Sequence, residues 1–452
     1  MRTDLRLAWL LTRGSDRREW WRIGLTAVGA AMATGIALAV VSLASLDGYY
    51  SVSVGSGLLD SDSDRRGVIF ALGLLLIPVL GFLGQCARIG AVHRDRRLAA
   101  LRLAGASPRQ VRRIAALESG PACLAGSAVA TAAFVPLLPA LWSRPTAPAW
   151  AGIALVAAAV PVLGAAVSAL ALRRVVASPL GWVRRVRATR GPGRLFKSAT
   201  WLLAATLLFI VVAPLFSDSF TFTPGPPTLI VLTLLISCTA VWLSGSSSRQ
   251  LGAGLAARTR RPAVLIAAER LCEDPWAAAR THAAVLLVTV VGSGFVGVRQ
   301  VLLTELHAMR REGRLGTDMA YYTTGIDLTA AAILVALALI LTGLAVGTAE
   351  SLATRRRGLA AQSAAGVPHG VLARALLLET ALPLAPAVAV AGIGGLGIGA
   401  WYASLSTDYI VAPVPYGTLL VPFAVYACCL LAAATSLPLL RRSVRPAELR
   451  YA

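Results

Sequence analysis

Ten apolar runs of about 20 residues alternate along the chain with short polar segments, and the segments alternate in character. The runs are Gly24–Leu46, Gly67–Gly90, Gly120–Trp142, Trp150–Leu172, Thr200–Phe216, Thr228–Leu243, His282–Leu303, Leu328–Thr348, Leu376–Ala400 and Gly417–Leu440. Arginine clusters fill every second gap: His93–Arg97, Arg184–Lys197, Ser244–Arg280 and Arg355–Arg357. The other gaps carry Asp60, Asp62 and Asp64, then SRPTAPA, FTPGPP, the stretch Glu305–Asp327, and a loop with Asp408. Because basic residues stay on the inner side of a membrane, the pattern predicts an all-α polytopic membrane protein of about ten helices with both termini cytoplasmic. The stretch Glu305–Asp327 strains the rule through Arg310, Arg311 and Arg314, and is expected to be the longest outer loop of the second half.

One cytoplasmic segment occurs twice. Arg96–Ser119, RRLAALRLAGASPRQVRRIAALES, leads into the third run, and Arg356–Thr380, RRGLAAQSAAGVPHGVLARALLLET, leads into the ninth. Gly105 and Gly366, and likewise Glu118 and Glu379, stand the same 261 residues apart. In the first copy Gly105 ends one helix, and Ser107 with Pro108 starts the next. The expected product is a helix, a sharp turn and a helix continuous with a span. From the residues alone this is either a device that converts a push on the cytoplasmic face into a tilt of that span, or a basic loop that only sets topology. Glu118 and Glu379 fall at the starts of their spans, where a carboxylate suits a helix N-terminus; their matched positions suggest a shared structural task, such as pairing with a neighbouring arginine.

Since an even number of runs separates the two copies, the repeats are parallel. The expected division is a first four-span unit over 1–182 with an N-terminal amphipathic helix, a linker with runs five and six over 183–245, and a second four-span unit over 246–452. Met1–Arg22, mixing leucine, tryptophan and arginine, suits the inner lipid interface, and a helix over Leu265–Leu271, broken at Asp274-Pro275, marks the approach to the second unit in the same way.

Composition narrows the function. Hydrophobic residues make up 57% and charged residues 14%, a membrane composition rather than a soluble one. The net charge of +22 sits beside the apolar runs as topology determinants, so no nucleic-acid partner is expected and membrane lipids are. Lys197 is the only lysine while Ala and Arg abound, which reads as GC-rich coding and a bacterial source. The N-terminal run is too long for a signal peptide's apolar region and is expected to remain as the first span. The six cysteines fall in apolar or cytoplasmic segments and are expected to pack rather than pair. No Gly-rich loop ending in Gly-Lys-Ser/Thr is present, and the four histidines show no metal-ligand spacing. No catalytic residue, metal or bound cofactor is therefore assigned. The spans carry almost no ionisable residues, which argues against a gradient-driven pathway; energy for transport is expected from another subunit.

The segment Arg96–Ser119 resembles the signature of the FtsX-like permease family, an R-x-x-E-x-x-x-L-R-x-x-G-A-S run before a glutamate-bearing helix. The closing RPAELR, Arg445–Arg450, and RPAVLIAAERLCEDPWAAAR are similar to other family segments. The resemblance implies the permease subunit of an ATP-binding cassette system of the mechanotransmission kind, with ATP and Mg bound in cytoplasmic ATPase partners, two per permease chain as in bacitracin-exporter-type permeases. It also implies docking at Leu101, Arg102, Gly105, Ser107, Pro108 and Arg109, and in the second copy at Gly366, Pro368 and His369. Arg97 stands where the family has an acid, and Gln362-Ser363 where it has Leu-Arg, so the elbows are expected to dock unequally. The outer loops are too short for a folded domain of about 50 residues. The expected function is export or extraction of a hydrophobic or amphipathic compound, such as an antibiotic, peptide or lipid, at a bacterial cell membrane. A non-transporting mechanotransmission or signalling subunit, and a secondary transporter with parallel repeats, are the alternatives.

Overall fold

A computed structural model of the chain describes residues 17–46, 48–50, 55–88, 103–141, 146–171, 226–405 and 416–443, with Ser198, Trp201 and Ala205. The described residues form helices and no strand. In chain order these are α1 (Arg17–Ala44), α2 (Asp62–Arg88), α3 (Pro108–Leu141), α4 (Ala147–Ala171), α5 (Pro226–Arg258), α6 (Pro262–Glu273), α7 (Trp276–Arg311), α8 (Met319–Thr354), α9 (Arg356–Ala364), α10 (His369–Leu405), α11 (Leu420–Ala434) and α12 (Leu437–Ser443). A 3-10 turn, Tyr416–Leu419, precedes α11. Among the described residues, eight helices are long and apolar enough to cross a membrane. The protein is an all-α, multi-pass membrane protein. Apart from Trp201 and Ala205, the fifth apolar run lies outside the described residues, as do Arg96, Arg97, the Arg184–Lys197 cluster and the C-terminal RPAELR.

The helices overrun the apolar runs because nothing in their polar flanks stops a helix. At 36 residues each, α7 and α8 are about 54 Å long against a hydrocarbon core of about 30 Å. The expected long loop Glu305–Asp327 is accordingly corrected: helix continues to Arg311 and resumes at Met319. No glycine or proline interrupts the sequence until Gly313, which takes φ +66°. There the Gly313 and Arg314 amides turn back onto the Arg310 and Met309 carbonyls at 3.2 and 2.9 Å and close the helix, the bond pattern of a left-handed glycine cap.

The chain forms two compact units, 1–186 with 320–332, and 187–319 with 333–452. In the first, α1 packs on α2, α3 and α4. Backbones approach closely at Gly126, where a Cβ would stand 2.1 Å from the Ala27 carbonyl oxygen. Leu38, Leu138, Ile153 and Val156 fill the core beside it, and the Ser127 hydroxyl donates to the Ala157 carbonyl across α3 and α4 at 3.1 Å.

In the second unit α7 and α10 cross through small residues at spacing four. Ser293 and Gly297 of α7 meet Gly395 and Gly399 of α10; a Cβ on Gly395 would lie 2.3 Å from the Ser293 Cβ, and one on Gly297 would lie 2.9 Å from the Gly399 Cα. Lipid offers no hydrophobic drive to pair helices, so close backbone approach of this kind supplies the dispersion energy. Helix α5, whose first half falls in the 183–245 segment read as a linker, packs on α6, α7 and α10 within this unit: Ile236 sits on Gly394 and Trp276 on Gly245. The six cysteines are free thiols.

Candidate functional site: the two elbows

The first elbow lies between α2 and α3. Leu101 and Arg102 fall outside the described residues. Gly105, at φ +97°, adopts the left-handed conformation that costs residues with a Cβ about 1 kcal/mol. Two residues on, the Gln110 amide donates to the Ser107 hydroxyl at 3.2 Å while the Ser107 amide donates to the Gln110 side-chain oxygen at 2.8 Å. Two otherwise unpaired amides are thus satisfied reciprocally. Pro108, lacking an amide proton, opens the helix at no loss, and the Val111 amide already reaches the Ser107 carbonyl at 3.1 Å. Val111 and Ile114 are buried, whereas Ser107, Arg109, Gln110 and Arg113 are exposed. The result is a helix start with a cationic outer face that runs without a break into the membrane-crossing part of α3. Glu118 lies within α3; its side chain is outside the described residues.

The second elbow joins α9 to α10. Gly366 takes φ +88°; its amide bonds the Ser363 carbonyl at 2.9 Å and the next amide, Val367, bonds the Gln362 carbonyl at 3.1 Å. This is the paired closure of a glycine-capped helix end, and Val367 supplies the apolar contact that accompanies it, packing on Leu352, Leu359, Leu372 and Leu440. Pro368 and His369 are exposed. Where the first elbow has Ser107 and Gln110, the matched positions hold Pro368 and Val371, so α10 starts without a reciprocal side-chain cap. Both turns are therefore formed by the glycine, and the following helix starts differ.

Under the second elbow lies a charge cluster whose partners come from three separate helical segments. Glu379, on the second turn and a half beyond Leu372, accepts a hydrogen bond from Arg355 at 2.7 Å and faces the Arg270 guanidinium of α6 at 3.9 Å. Its side chain is 18% exposed and those of Arg355 and Arg270 are 31% and 29% exposed. One carboxylate half-shielded from water thus ties the end of α8 and the lead-in helix α6 to the start of α10. Beside it a recess of about 760 Å³ opens between α6 and α9, lined by Leu265, Glu269, Cys272, Glu273 and Gln362 among others. Only the charge types and the matched glutamates were visible in the sequence; Arg355 lies 24 residues from Glu379, and Arg270 comes from a helix further back in the chain.

A family model described as FtsX-like permease C-terminal matches residues 68–180, which take in most of α2, the first elbow, α3 and α4. Over that quarter or so of its length the chain is similar to the FtsX-like permeases. No curated protein and no solved structure matches it. The likeness supports a membrane permease subunit of the general ABC-transporter type; FtsX-like permeases generally partner with ABC ATPases.

Proposed function

We propose that this FtsX-like permease couples ATP hydrolysis in separate cytoplasmic ATPase subunits to export or extraction of a hydrophobic or amphipathic compound at a bacterial cell membrane. The observation that supports it is the pair of glycine elbows, each feeding directly into a membrane-crossing helix. A load on the face around Gly105, Ser107, Pro108 and Arg109, or around Gly366, Pro368 and His369, is carried into α3 or α10 without an intervening flexible joint. ATP and Mg belong to the partner in this reading, and the chain itself contributes no nucleotide site. The exposed Arg109 and Arg113 suit an acidic face on one ATPase subunit. The second elbow exposes Ala361, Ala364 and Ala365 instead, so the two ATPase subunits dock with different strengths.

The test is co-purification of the permease with its ATPase, using Gly105→Val and Gly366→Val singly and together. A β-branched residue at positive φ is strained, so the turns distort while the spans are untouched. Complex recovery should fall at least tenfold in the double variant and more for Gly105→Val than for Gly366→Val, with thermal melting of the isolated permease shifted little. A permease that never retains an ATPase, or one whose complex is indifferent to both substitutions, refutes the proposal. ATP-dependent movement of candidate lipids and amphipathic compounds in vesicles then separates a transporter from a subunit that only relays force.

A further inference from the structure

The opposite end of the first unit carries a built structure that the elbows do not use. Between α1 and α2 the described residues 46, 48–50 and 55–61 form a compact cap around Arg65, whose side chain is 1% exposed. Its guanidinium donates to the carbonyls of Leu59 at 3.2 Å, Asp60 at 3.0 Å and Leu46 at 3.3 Å, and to that of Gly48, with Tyr50 stacked 6.0 Å from it. Both terminal nitrogens of this buried cation are thus held by backbone oxygens, with the Asp62 carboxylate 3.7 Å away, while its Nε has no partner among the described residues; the bonds tie the described parts of the loop together. On its surface Gly55, Ser56 and Gly57 run consecutively at φ +97°, +52° and +88°. Left-handed serine is uncommon and costs energy unless the surroundings hold it.

What holds this run is the start of α8, whose residues 320–332 pack in the same unit. The Thr324 hydroxyl donates to the Ser56 hydroxyl at 3.2 Å. Leu58 lies over Gly325, 3.6 Å from where a Cβ would be, and Tyr321 lies 3.8 Å from the same position on Gly57. The Tyr321 hydroxyl bonds the Asp64 carboxylate, which Ser61 orients by a 2.7 Å hydrogen bond. All of these α8 side chains are half-exposed, and none of these contacts is an ion pair. The cap therefore keeps its own fold when they break, while α8 gains or loses an anchor at its first turn and a half. The other end of the same unbroken helix leads into Arg355, the partner of Glu379 at the second elbow.

We infer that the cap and the start of α8 form a releasable latch: α8 acts as a rigid lever, latched at Tyr321, Thr324 and Gly325 and driven at Arg355, so that loading the second elbow opens the latch. The inference rests on the ATPase-coupled reading of the elbows. Its test pairs Ser56→Cys with Thr324→Cys in full-length permease whose six native cysteines are alanine, assembled with its ATPase in nanodiscs. Oxidation without nucleotide should cross-link most molecules; cross-linking should fall at least threefold when the ATPase is trapped with ATP. The cross-linked complex should lose at least fivefold of its ATP turnover and regain it on reduction. No cross-link, a cross-link equally efficient in the trapped state, or a locked complex with full turnover overturns the latch. Should no ATPase co-purify, the functional reading fails separately, and the latch is judged on the permease alone by spin labels at Gly67→Cys and Ala320→Cys in lipid. Two distance populations uphold release; a single one refutes it.

Discussion

Replacing Glu379 by glutamine tests whether the charge cluster holds the second elbow together. The carboxylate makes one charge-assisted hydrogen bond, to Arg355 at 2.7 Å, and one longer ion pair, to Arg270 at 3.9 Å. A hydrogen bond to a charged group contributes about 1.5–3 kcal/mol, and an ion pair at the longer distance less than about 1 kcal/mol. Glutamine keeps the shape and one acceptor oxygen but removes the charge, and leaves Arg355 without this carboxylate and Arg270 with the largely exposed Glu273 at 3.8 Å. The expected loss is about 1–2 kcal/mol, or a fall in Tm of about 2–8 °C for a unit of this size. Purified permease in detergent at 0.15 M salt suffices for the measurement, since a half-buried pair is screened less than an exposed one. The assignment to Arg355 comes from a double-mutant cycle with Arg355→Met, which should return a coupling energy of about 1 kcal/mol or more. A coupling below about 0.3 kcal/mol would refute the reasoning, because the 2.7 Å contact would then contribute nothing beyond its surroundings.

Three further outcomes follow from local geometry. Gly395→Val drives a Cβ into the Ser293 Cβ and to 2.9 Å from the Gly294 amide nitrogen; backbone cannot yield as a side chain would, so melting should fall by at least the 1–3 kcal/mol or so of an overpacked core, while Gly397→Ala, with open space around it, should be neutral or stabilising. Ser107→Ala removes the reciprocal cap and about 1 kcal/mol, which should speed amide exchange over residues 109–112 about fivefold and leave the α10 start unchanged. Arg65→Lys presents one ammonium to carbonyls that a planar fork had served; a loss of about 2–4 kcal/mol should appear as faster proteolysis between Gly48 and Asp60.

The two turns at Gly105 and Gly366 were legible because their determinants are local: a glycine, a cap or proline just after it, and an apolar run that follows. The same holds for the break at Asp274-Pro275, found between α6 and α7. The end of α7 lies beyond the expected loop start for a related reason. Charged residues do not end a helix, since Arg310 and Arg311 are good helix formers, and Gly313 is the first residue there able to do so. Side-chain contacts were illegible where they join distant segments. Glu379 has exposed arginines as near in sequence as Arg374, yet its partners come from α6 and the end of α8.

By itself the sequence determined a chain of membrane-crossing helices, its two glycine elbows and the resemblance that the family match over 68–180 supports. Hydropathy and turn chemistry act over a few residues and are written in order along the chain. Only the tertiary structure decided that Ser293 and Gly297 face Gly395 and Gly399, that Arg65 is the buried centre of a cap, and that α8 carries a contact of consequence at each end. Burial and pairing depend on which helices approach, and in an apolar chain of this kind nearly every helix has several apolar faces that could do so.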